Sequence, residues 1–314
     1  MISSAGYTRY LNKIPLSLSI VILLGLSIWT AQAAPLRVTV FSAQSRSAYD
    51  QFVHSFKGEL ARENISLTLN PSNSLSSEFD LIVAVGIKSA SIALKTHSPV
   101  LCVLVSKAGF EELLQADKQD KRAISAIYMD QPGKRQIDLL VAALPRVKKI
   151  GLLYSSHSPN FTELSKAIKK KHLILYEQKS NSADLLHRDL QTVLQKSDVL
   201  LAIPDDGIYN SSTIRHILME AYRSGTPLVG FSPAYVRAGA LFSLFSRPEQ
   251  IAKQASVLTK AYFDTGRLPA PQYPHKFDVT VNRQVANSLG IQIKQNDLLL
   301  SKMNSAENRA RGPQ

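Results

Sequence analysis

The stretch "DLIVAVGIKSASIALKTHSPVLCVLV", residues 80–105, decides the fold class of this protein. It holds two continuous apolar runs, 80–86 and 99–105, separated by a segment that we interpret as a short helix from about Lys88. Strands buried on both faces read as unbroken apolar runs, because helices cover both sides of a parallel sheet. The stretch therefore predicts a strand–helix–strand unit of an α/β fold.

The same alternation extends in both directions along the chain. Residues 36–42 predict a strand, and apolar side chains at helical spacing from Tyr49 to Leu60 predict the helix that follows. After a mixed stretch, 106–129, the pattern restarts with a helix that stops at Pro145 and with the strands "KKIGLLYS", "HLILYEQ", "DVLLAIP" and "PLVGFS". Two doubly wound units are therefore predicted.

The C-terminal part of the chain is expected to return to both units. It contains a strand ("ALFSLFS"), a helix, a proline-rich link ("GRLPAPQYP") and a last strand ("KFDVTVN"), so the lobes would be joined by more than one crossing segment. The predicted boundaries are 34–127 with 236–272 for the N-terminal lobe, 128–235 with 273–300 for the C-terminal lobe, and 301–314 for a polar, disordered tail.

The N-terminus predicts an export signal. Arg9 and Lys13 precede an uncharged apolar run at 14–29, and the small residues of Ala31-Gln32-Ala33 follow it. This order is typical of a secretory signal cleaved after Ala33. An uncleaved anchor is the alternative, since about 16 apolar residues fall just short of a membrane span. No cysteine follows the run to accept a lipid, so we expect a periplasmic protein that is not a lipoprotein.

The charge distribution and the cysteine content argue against a nucleic-acid-binding protein and against a protein stabilised by disulfides. The net charge of +13 becomes +11 without the two basic residues of the signal. The basic residues are scattered, and the run Lys169–Lys171 ends a predicted helix, where it complements the helix dipole without the interleaved aromatics of a nucleic-acid site. Cys102 is the only cysteine and lies in an apolar strand, so we predict a buried, inert thiol and no disulfide.

Motifs for cofactors, metals and catalysis are absent from the sequence. It has no G-x-G-x-x-G, P-loop, G-x-S-x-G or H-E-x-x-H motif, and its histidines lack metal-ligand spacing. We therefore expect no cofactor, no metal and no catalytic residue.

Candidate ligand contacts follow the predicted strands, because ligands of open α/β sheets bind at the carboxyl ends of the strands. The side chains at these positions are mainly small, hydroxylic, amide or aromatic, which suits a small polar molecule. The candidate ligand-binding residues are Ser42, Gly86, Ser89, Ser106, Tyr154, Asn160, Asp206, Tyr209, Ser232 and Tyr235.

Asp205 and Asp206 form an adjacent acidic pair at a strand end. Neighbouring side chains of an extended segment point to opposite sides, so the pair is poorly arranged to share a metal or a proton. Asp206 is interpreted as a helix cap, a ligand contact or, least favoured, a catalytic group. Asp205 is predicted to face solvent.

Four segments resemble the ABC-transporter substrate-binding proteins, in the group that includes aromatic amino-acid binders. They are residues 130–160, 198–210, 227–243 and 277–291. The resemblance implies a type I periplasmic-binding-protein fold, with two Rossmann-like lobes joined by a multi-strand hinge of three crossovers. It also implies a non-enzymatic protein that captures a small ligand, such as an amino acid, by hinge closure and delivers it to a membrane permease.

Within the resemblance, the family's Gly-x-x-x-Ala turn corresponds to Gly86 and Ala90, and its Pro-x-Asp loop to Pro204 and Asp206. Ile87 and Lys88 depart from the small residues usual in that turn. We expect a monomer that binds no nucleic acid. The alternatives are a sensory protein that docks to a membrane receptor and, less favoured, an enzyme with a site around Asp206 and His157.

Overall fold

The computed structural model describes residues 37–44, 46–62, 65–69, 79–116, 122–155 and 161–311. The predicted signal segment lies outside these ranges. Among the residues described, no helix has both the length and the apolar character needed to cross a membrane.

The helices connect the strands of two sheets. Their bounds are α1 Ser47–Ala61, α2 Ile87–Ala93, α3 Lys107–Ala116, α4 Gly133–Ala143, α5 Thr162–Lys170, α6 Ala183–Lys196, α7 Ile214–Arg223, α8 Pro233–Ala238, α9 Pro248–Thr265, α10 Arg283–Ser288 and α11 Asn296–Arg311.

The first sheet has the order β2-β1-β3-β4-β5, and all its paired neighbours are parallel. Its strands are β1 Arg37–Phe41, β2 Ser66–Leu69, β3 Leu81–Val85, β4 Val100–Val105 and β5 Ile124–Tyr128. Every residue of β3 and β4 is buried, which confirms the prediction made from their apolar runs. Cys102 is a buried free thiol, and burial raises its pKa to about 12, as expected for an inert cysteine.

The second sheet has the order β11-β10-β9-β8-β6-β7, parallel except for the antiparallel pair of β10 and β11. Its strands are β6 Lys149–Tyr154, β7 Ile174–Lys179, β8 Val199–Leu201, β9 Leu228–Gly230, β10 Phe242–Phe245 and β11 Asp278–Val281. The predicted α/β architecture with two parallel-type sheets is thereby confirmed.

Three segments carry the chain between the sheets: 129–132, 246–247 and 272–277. A chain of hydrogen bonds joins all three. Gln131 Nε2 donates to Ser246 Oγ at 2.9 Å, and Ser246 Oγ donates to the Lys276 carbonyl at 2.6 Å. We call these three segments the hinge.

The strand β10 differs from its predicted place in the N-terminal lobe, because it pairs with β9 and β11 in the second sheet. The helix after it, α9, does pack on the first sheet, where Ile251 and Leu258 share a core with Phe52 and Phe56 of α1. An apolar run is buried equally well in either sheet, so its sequence does not specify which sheet it joins. The overall division of the chain into lobes stays a prediction.

The predicted polar tail is wrong, since α11 continues to Arg311. Leu299 and Met303, one helical turn apart, are buried in the core of the second sheet. Glu307 pairs with Arg135 of α4, at the hinge. The polar composition of this segment predicts disorder, but a few buried apolar side chains on one face are enough to pack a helix against the core.

Candidate ligand-binding cleft

The two adjacent acids separate into different environments. Asp205 is only 9% exposed, and its carboxylate accepts hydrogen bonds from the Ser155 N–H at 2.7 Å and the Gly207 N–H at 2.9 Å. The prediction that Asp205 faces solvent is therefore wrong. The Asp205 side chain connects the loop after β8 to the loop after β6, because the N–H groups of Ser155 and Gly207 need an acceptor in a partly buried position.

Asp206 is the exposed member of the pair. The structured part of the chain gives its carboxylate no ion pair and no hydrogen-bond donor, and its backbone carbonyl accepts a hydrogen bond from Asn210 Nδ2 at 2.9 Å. The next helix, α7, begins at Ile214 after the N-cap residue Thr213, so Asp206 does not cap it. An unpaired carboxylate at the end of a buried strand is thus presented to solvent.

The charge of the Asp206 carboxylate acts on a tyrosine of each lobe. Burial, and secondarily the negative charge of Asp206, raise the pKa of Tyr235 in α8. The pKa of Tyr49 in α1 is likewise raised, first by burial, with the charge of Asp206 adding to it and that of Arg46 opposing it. Asp206 therefore lies within electrostatic range of one tyrosine from each lobe, Tyr49 and Tyr235.

An aromatic wall forms the second-lobe side of this cleft. The Phe231 and Tyr235 rings lie with their centroids 4.5 Å apart, and Tyr235 Oη donates to the Tyr209 carbonyl at 3.0 Å. Tyr209 itself is 3% exposed, with its ring 6.4 Å from that of Phe231. Tyr209 thus supports the wall from behind, whereas Phe231 and Tyr235 are half-buried.

Gly86 and Tyr49 form the first-lobe side. Gly86 has φ 81° and ψ 164°, a conformation that glycine alone adopts readily. A Cβ atom at this position would lie 2.3 Å from Tyr49 Oη, so the tyrosine hydroxyl occupies the space that a side chain would need. The Arg46 guanidinium lies 5.7 Å from the centroid of the Tyr49 ring.

A second group of side chains links the lobes nearer the hinge. Lys107 Nζ, at the start of α3, lies 3.0 Å from Glu163 Oε1 at the start of α5, and Tyr273 Oη donates to Glu163 Oε2 at 2.7 Å. Lys107 Nζ also lies 5.5 Å from the Tyr273 ring centroid. Burial alone would raise the pKa of Glu163, but these two hydrogen bonds outweigh it and hold the pKa below its usual value. We call Lys107, Glu163 and Tyr273 the interlobe latch.

A cavity of about 80 Å³ lies under the latch. It is lined by residues of both lobes and of the hinge, including Ser106, Asp130, Gln131, Gln136, Phe161 and Pro204. The Asp130 carboxylate accepts a hydrogen bond from the Lys107 N–H, yet burial raises its pKa to about 6. The cavity has room for a few water molecules.

The predicted site residues fall into three groups. Gly86 lies against Tyr49, the charge of Asp206 acts on Tyr49 and Tyr235, and Ser232 is the N-cap residue of α8. The other residues make contacts within one lobe or line the cavity. Ser42 Oγ donates a hydrogen bond to the Gln44 carbonyl, and the hydroxyls of Ser89 and Ser106 accept hydrogen bonds from the N–H groups of Ala43 and Gly109. The Tyr154 ring packs against Phe161, and Tyr209 is buried. Asn160 and His157 lie outside the described residues.

Sequence reasoning missed Glu163 and Tyr273. Tyr273 lies in the proline-rich link and Glu163 in the first turn of α5, 110 positions apart. The signal that the sequence offers is that Glu163 lies at the start of a helix that follows a strand, where ligand contacts of open α/β sheets are expected.

The environments of the two acids lead to a first prediction. Asp205→Ala should lower the free energy of unfolding by about 2–4 kcal/mol, since hydrogen bonds to a charged group contribute about 1.5–3 kcal/mol each. Asp206→Ala should change it by less than about 0.5 kcal/mol, as at other exposed positions. Urea unfolding of both variants measures the difference; equal losses of stability would contradict the separate roles.

Two lobes joined by a three-segment hinge, with an aromatic cleft and an unpaired carboxylate between them, define a bilobal solute-binding protein. The family of ABC transporter substrate binding proteins matches residues 47–305, and the chain belongs to this family. It is therefore a non-enzymatic protein that binds a small-molecule solute for an ABC transporter, as predicted. Proteins of this family work outside the cytoplasm.

Solved structures agree with this fold. A conserved domain protein from Vibrio cholerae has a TM-score of 0.63 at 21% identity, covering 85% of this chain and 98% of its own. An ABC domain from Streptococcus pneumoniae, in complex with L-Trp, has 0.64 at 18% identity, covering 85% and 98%. A ligand-free, open substrate binding protein with adhesive properties from Clostridium difficile has 0.63 at 17%, covering 84% and 97%. No curated protein sequence matches the chain.

Proposed function

We propose that the protein is a periplasmic receptor that captures a small solute with an ammonium group, such as an amino acid, by closing its two lobes over it. The closed form would deliver the solute to the permease of an ABC transporter. The observation that carries this proposal is the exposed carboxylate of Asp206, which has no ion pair and no hydrogen-bond donor among the described residues and whose charge acts on a tyrosine of each lobe.

The surroundings of Asp206 favour a cationic, partly apolar solute. An exposed carboxylate without a partner gains a charge-assisted hydrogen bond when an ammonium group binds it. The rings of Tyr49, Phe231 and Tyr235 offer apolar area and negative ring faces, which attract the same cation and pack against an apolar solute body. The Streptococcus protein binds L-Trp, so aromatic amino acids belong in any test set.

A thermal-shift screen tests the proposal. The mature chain, which is residues 34–314 after the predicted signal cleavage, is heated with each of the amino acids. Sugars, purines and small anions serve as contrasting classes of solute. A solute at 100 times its dissociation constant should stabilise the folded protein by about 2.7 kcal/mol, which raises the melting temperature. We expect the shift from amino-bearing solutes and a loss of most of it in Asp206→Ala.

The matched control is Asp264→Ala, which removes an exposed aspartate from α9 on the first lobe. It should leave the ligand-induced shift unchanged. A shift that is equal in wild type and Asp206→Ala would remove Asp206 from the site, and a shift produced by sugars or anions alone would overturn the proposed solute class.

The interlobe latch supports the closure step. Lys107 and Glu163 belong to different lobes, so their contact exists only when the lobes are near each other. Exposed ion pairs contribute about 0–1 kcal/mol, which is enough to change an open–closed equilibrium by up to about fivefold.

Glu163→Gln should therefore shift the solute-free protein toward the open form and weaken solute binding by up to about fivefold, because the charge attraction to Lys107 is lost. Scattering and titration measure the two effects. Glu220→Gln, which removes an ion pair confined to α7, is the control and should change neither. An equal or more compact Glu163→Gln protein would contradict the latch.

The pH dependence follows from the lowered pKa of Glu163. A carboxylate with a depressed pKa contributes at neutral pH, and its contribution disappears as the pH falls through that depressed value. The Glu163→Gln and wild-type proteins should therefore become equally open only when the pH has fallen below the lowered pKa of Glu163.

A further inference from the structure

Two histidines from neighbouring helices meet on the outer surface of the second lobe. His187 Nδ1 in α6 lies 3.1 Å from His216 Nε2 in α7, and the ring centroids are 5.2 Å apart with an interplanar angle of 41°. Both side chains are exposed. The neighbouring residues Leu186 and Ile217 are buried, so packed helices fix the backbone positions from which the two imidazoles project.

We propose that His187 and His216 chelate one divalent transition-metal ion of the zinc, copper or nickel type. Zinc–imidazole bonds are about 2.0–2.1 Å long, so two nitrogens 3.1 Å apart subtend an angle of about 100° at a shared metal. That angle lies between the octahedral and tetrahedral values, so the separation of the two nitrogens is compatible with one shared ion.

The donor set selects the class of metal. Imidazole nitrogens suit zinc, copper and nickel, whereas magnesium and calcium prefer oxygen ligands. In the ranges that the structure covers, no three His, Cys, Asp or Glu side chains gather to hold a metal, so two protein ligands are complemented by water. Such a site binds its ion exchangeably and ties α6 to α7.

The local charges neither supply a third ligand nor exclude a cation. Arg188 lies 3.3 Å from Asp189, and Glu220, one turn after His216, lies 3.3 Å from Arg223. These carboxylates are engaged by arginines, and Asp184, one turn before His187, does not gather with the two histidines into a three-ligand group in the described part of the chain. Their 29-residue separation and placement on different helices explain why histidine spacing in the sequence did not reveal the pair.

Calorimetric titration of the metal-free, tag-free mature chain with ZnCl₂ tests the proposal, with MgCl₂ as the contrasting ion. We expect one zinc ion per chain and no magnesium binding. His187→Gln and His216→Gln should each weaken zinc binding at least about tenfold, since even outer-shell groups of metal sites contribute 10–100-fold. His97→Gln, which removes an exposed histidine of the first lobe, is the control and should leave the titration unchanged.

A second measurement uses the unaltered protein. Zinc should protect His187 and His216, but not His97, from acylation by diethyl pyrocarbonate, read by mass spectrometry. Equal zinc binding by wild type and the His187→Gln/His216→Gln protein, or equal acylation of the three histidines with and without zinc, would overturn the site. Neither readout depends on the solute cleft, so the two proposals fail independently.

Discussion

Arg135→Ala is expected to lower the free energy of unfolding by about 3–5 kcal/mol, the usual effect of removing one partner of a buried ion pair. Arg135 is 5% exposed. Its guanidinium binds both carboxylate oxygens of Glu307, donates to Gln131 Oε1 at 2.6 Å and to the Pro274 carbonyl at 3.0 Å, and lies 4.3 Å from the Phe277 ring centroid. Its loss leaves several acceptors without a donor.

Urea unfolding measures this effect, and Arg223→Ala provides the control. Arg223 also pairs with a glutamate, but its side chain is 66% exposed, so the expected change is below about 1 kcal/mol. Because Gln131 and Pro274 belong to the hinge, Arg135→Ala should also broaden the distribution of lobe orientations. A variant as stable as Arg223→Ala would contradict the role of Arg135 as the link between α11 and the hinge.

Gly86→Ala is expected to lower both the stability of the protein and its affinity for the solute. The backbone conformation of Gly86 costs an L-residue about 1–3 kcal/mol, and the new Cβ would also displace Tyr49, whose hydroxyl lies where that atom would be. Stability should fall by at least that amount. Solute affinity should fall as well, because Tyr49 forms one side of the cleft.

Gly58→Ala is the matched control, since Gly58 lies in α1 and a Cβ there would meet nothing within 4 Å. It should raise stability by about 0.5–1 kcal/mol, the normal gain for alanine inside a helix. Comparing the double variant Gly86→Ala/Tyr49→Ala with Tyr49→Ala separates the two contributions, because the clash is absent from both and only the backbone strain differs between them. Unchanged stability and affinity in Gly86→Ala would contradict the packing of Tyr49 against this turn.

The central strands could be predicted because burial on both faces determines their composition. Every position of β3 and β4 must be apolar or small, and their sequences show this directly. The edge strand β2 is mostly exposed, and α3 buries only Phe110, so neither leaves a strong periodic pattern. For the mixed stretch 106–129, which contains α3 and β5, the sequence therefore predicts no helix or strand.

The cleft was predictable only in part. The rule that ligands bind at strand ends led to Gly86, Asp206 and Tyr235. Which of the two acids is buried depends on the N–H of Ser155, 50 positions away from Asp205, and no local pattern encodes that contact. The latch is equally non-local, because an exposed lysine and glutamate meet only once the lobes are placed.

The measurement that tests the account most directly is small-angle scattering of the mature chain with and without the solute that gives the largest thermal shift. Closure of two lobes over a solute predicts a smaller radius of gyration in the wild type at saturation, and little change in Asp206→Ala at the same concentration. A radius of gyration that stays the same while the solute demonstrably binds would contradict hinge closure as the mechanism of capture.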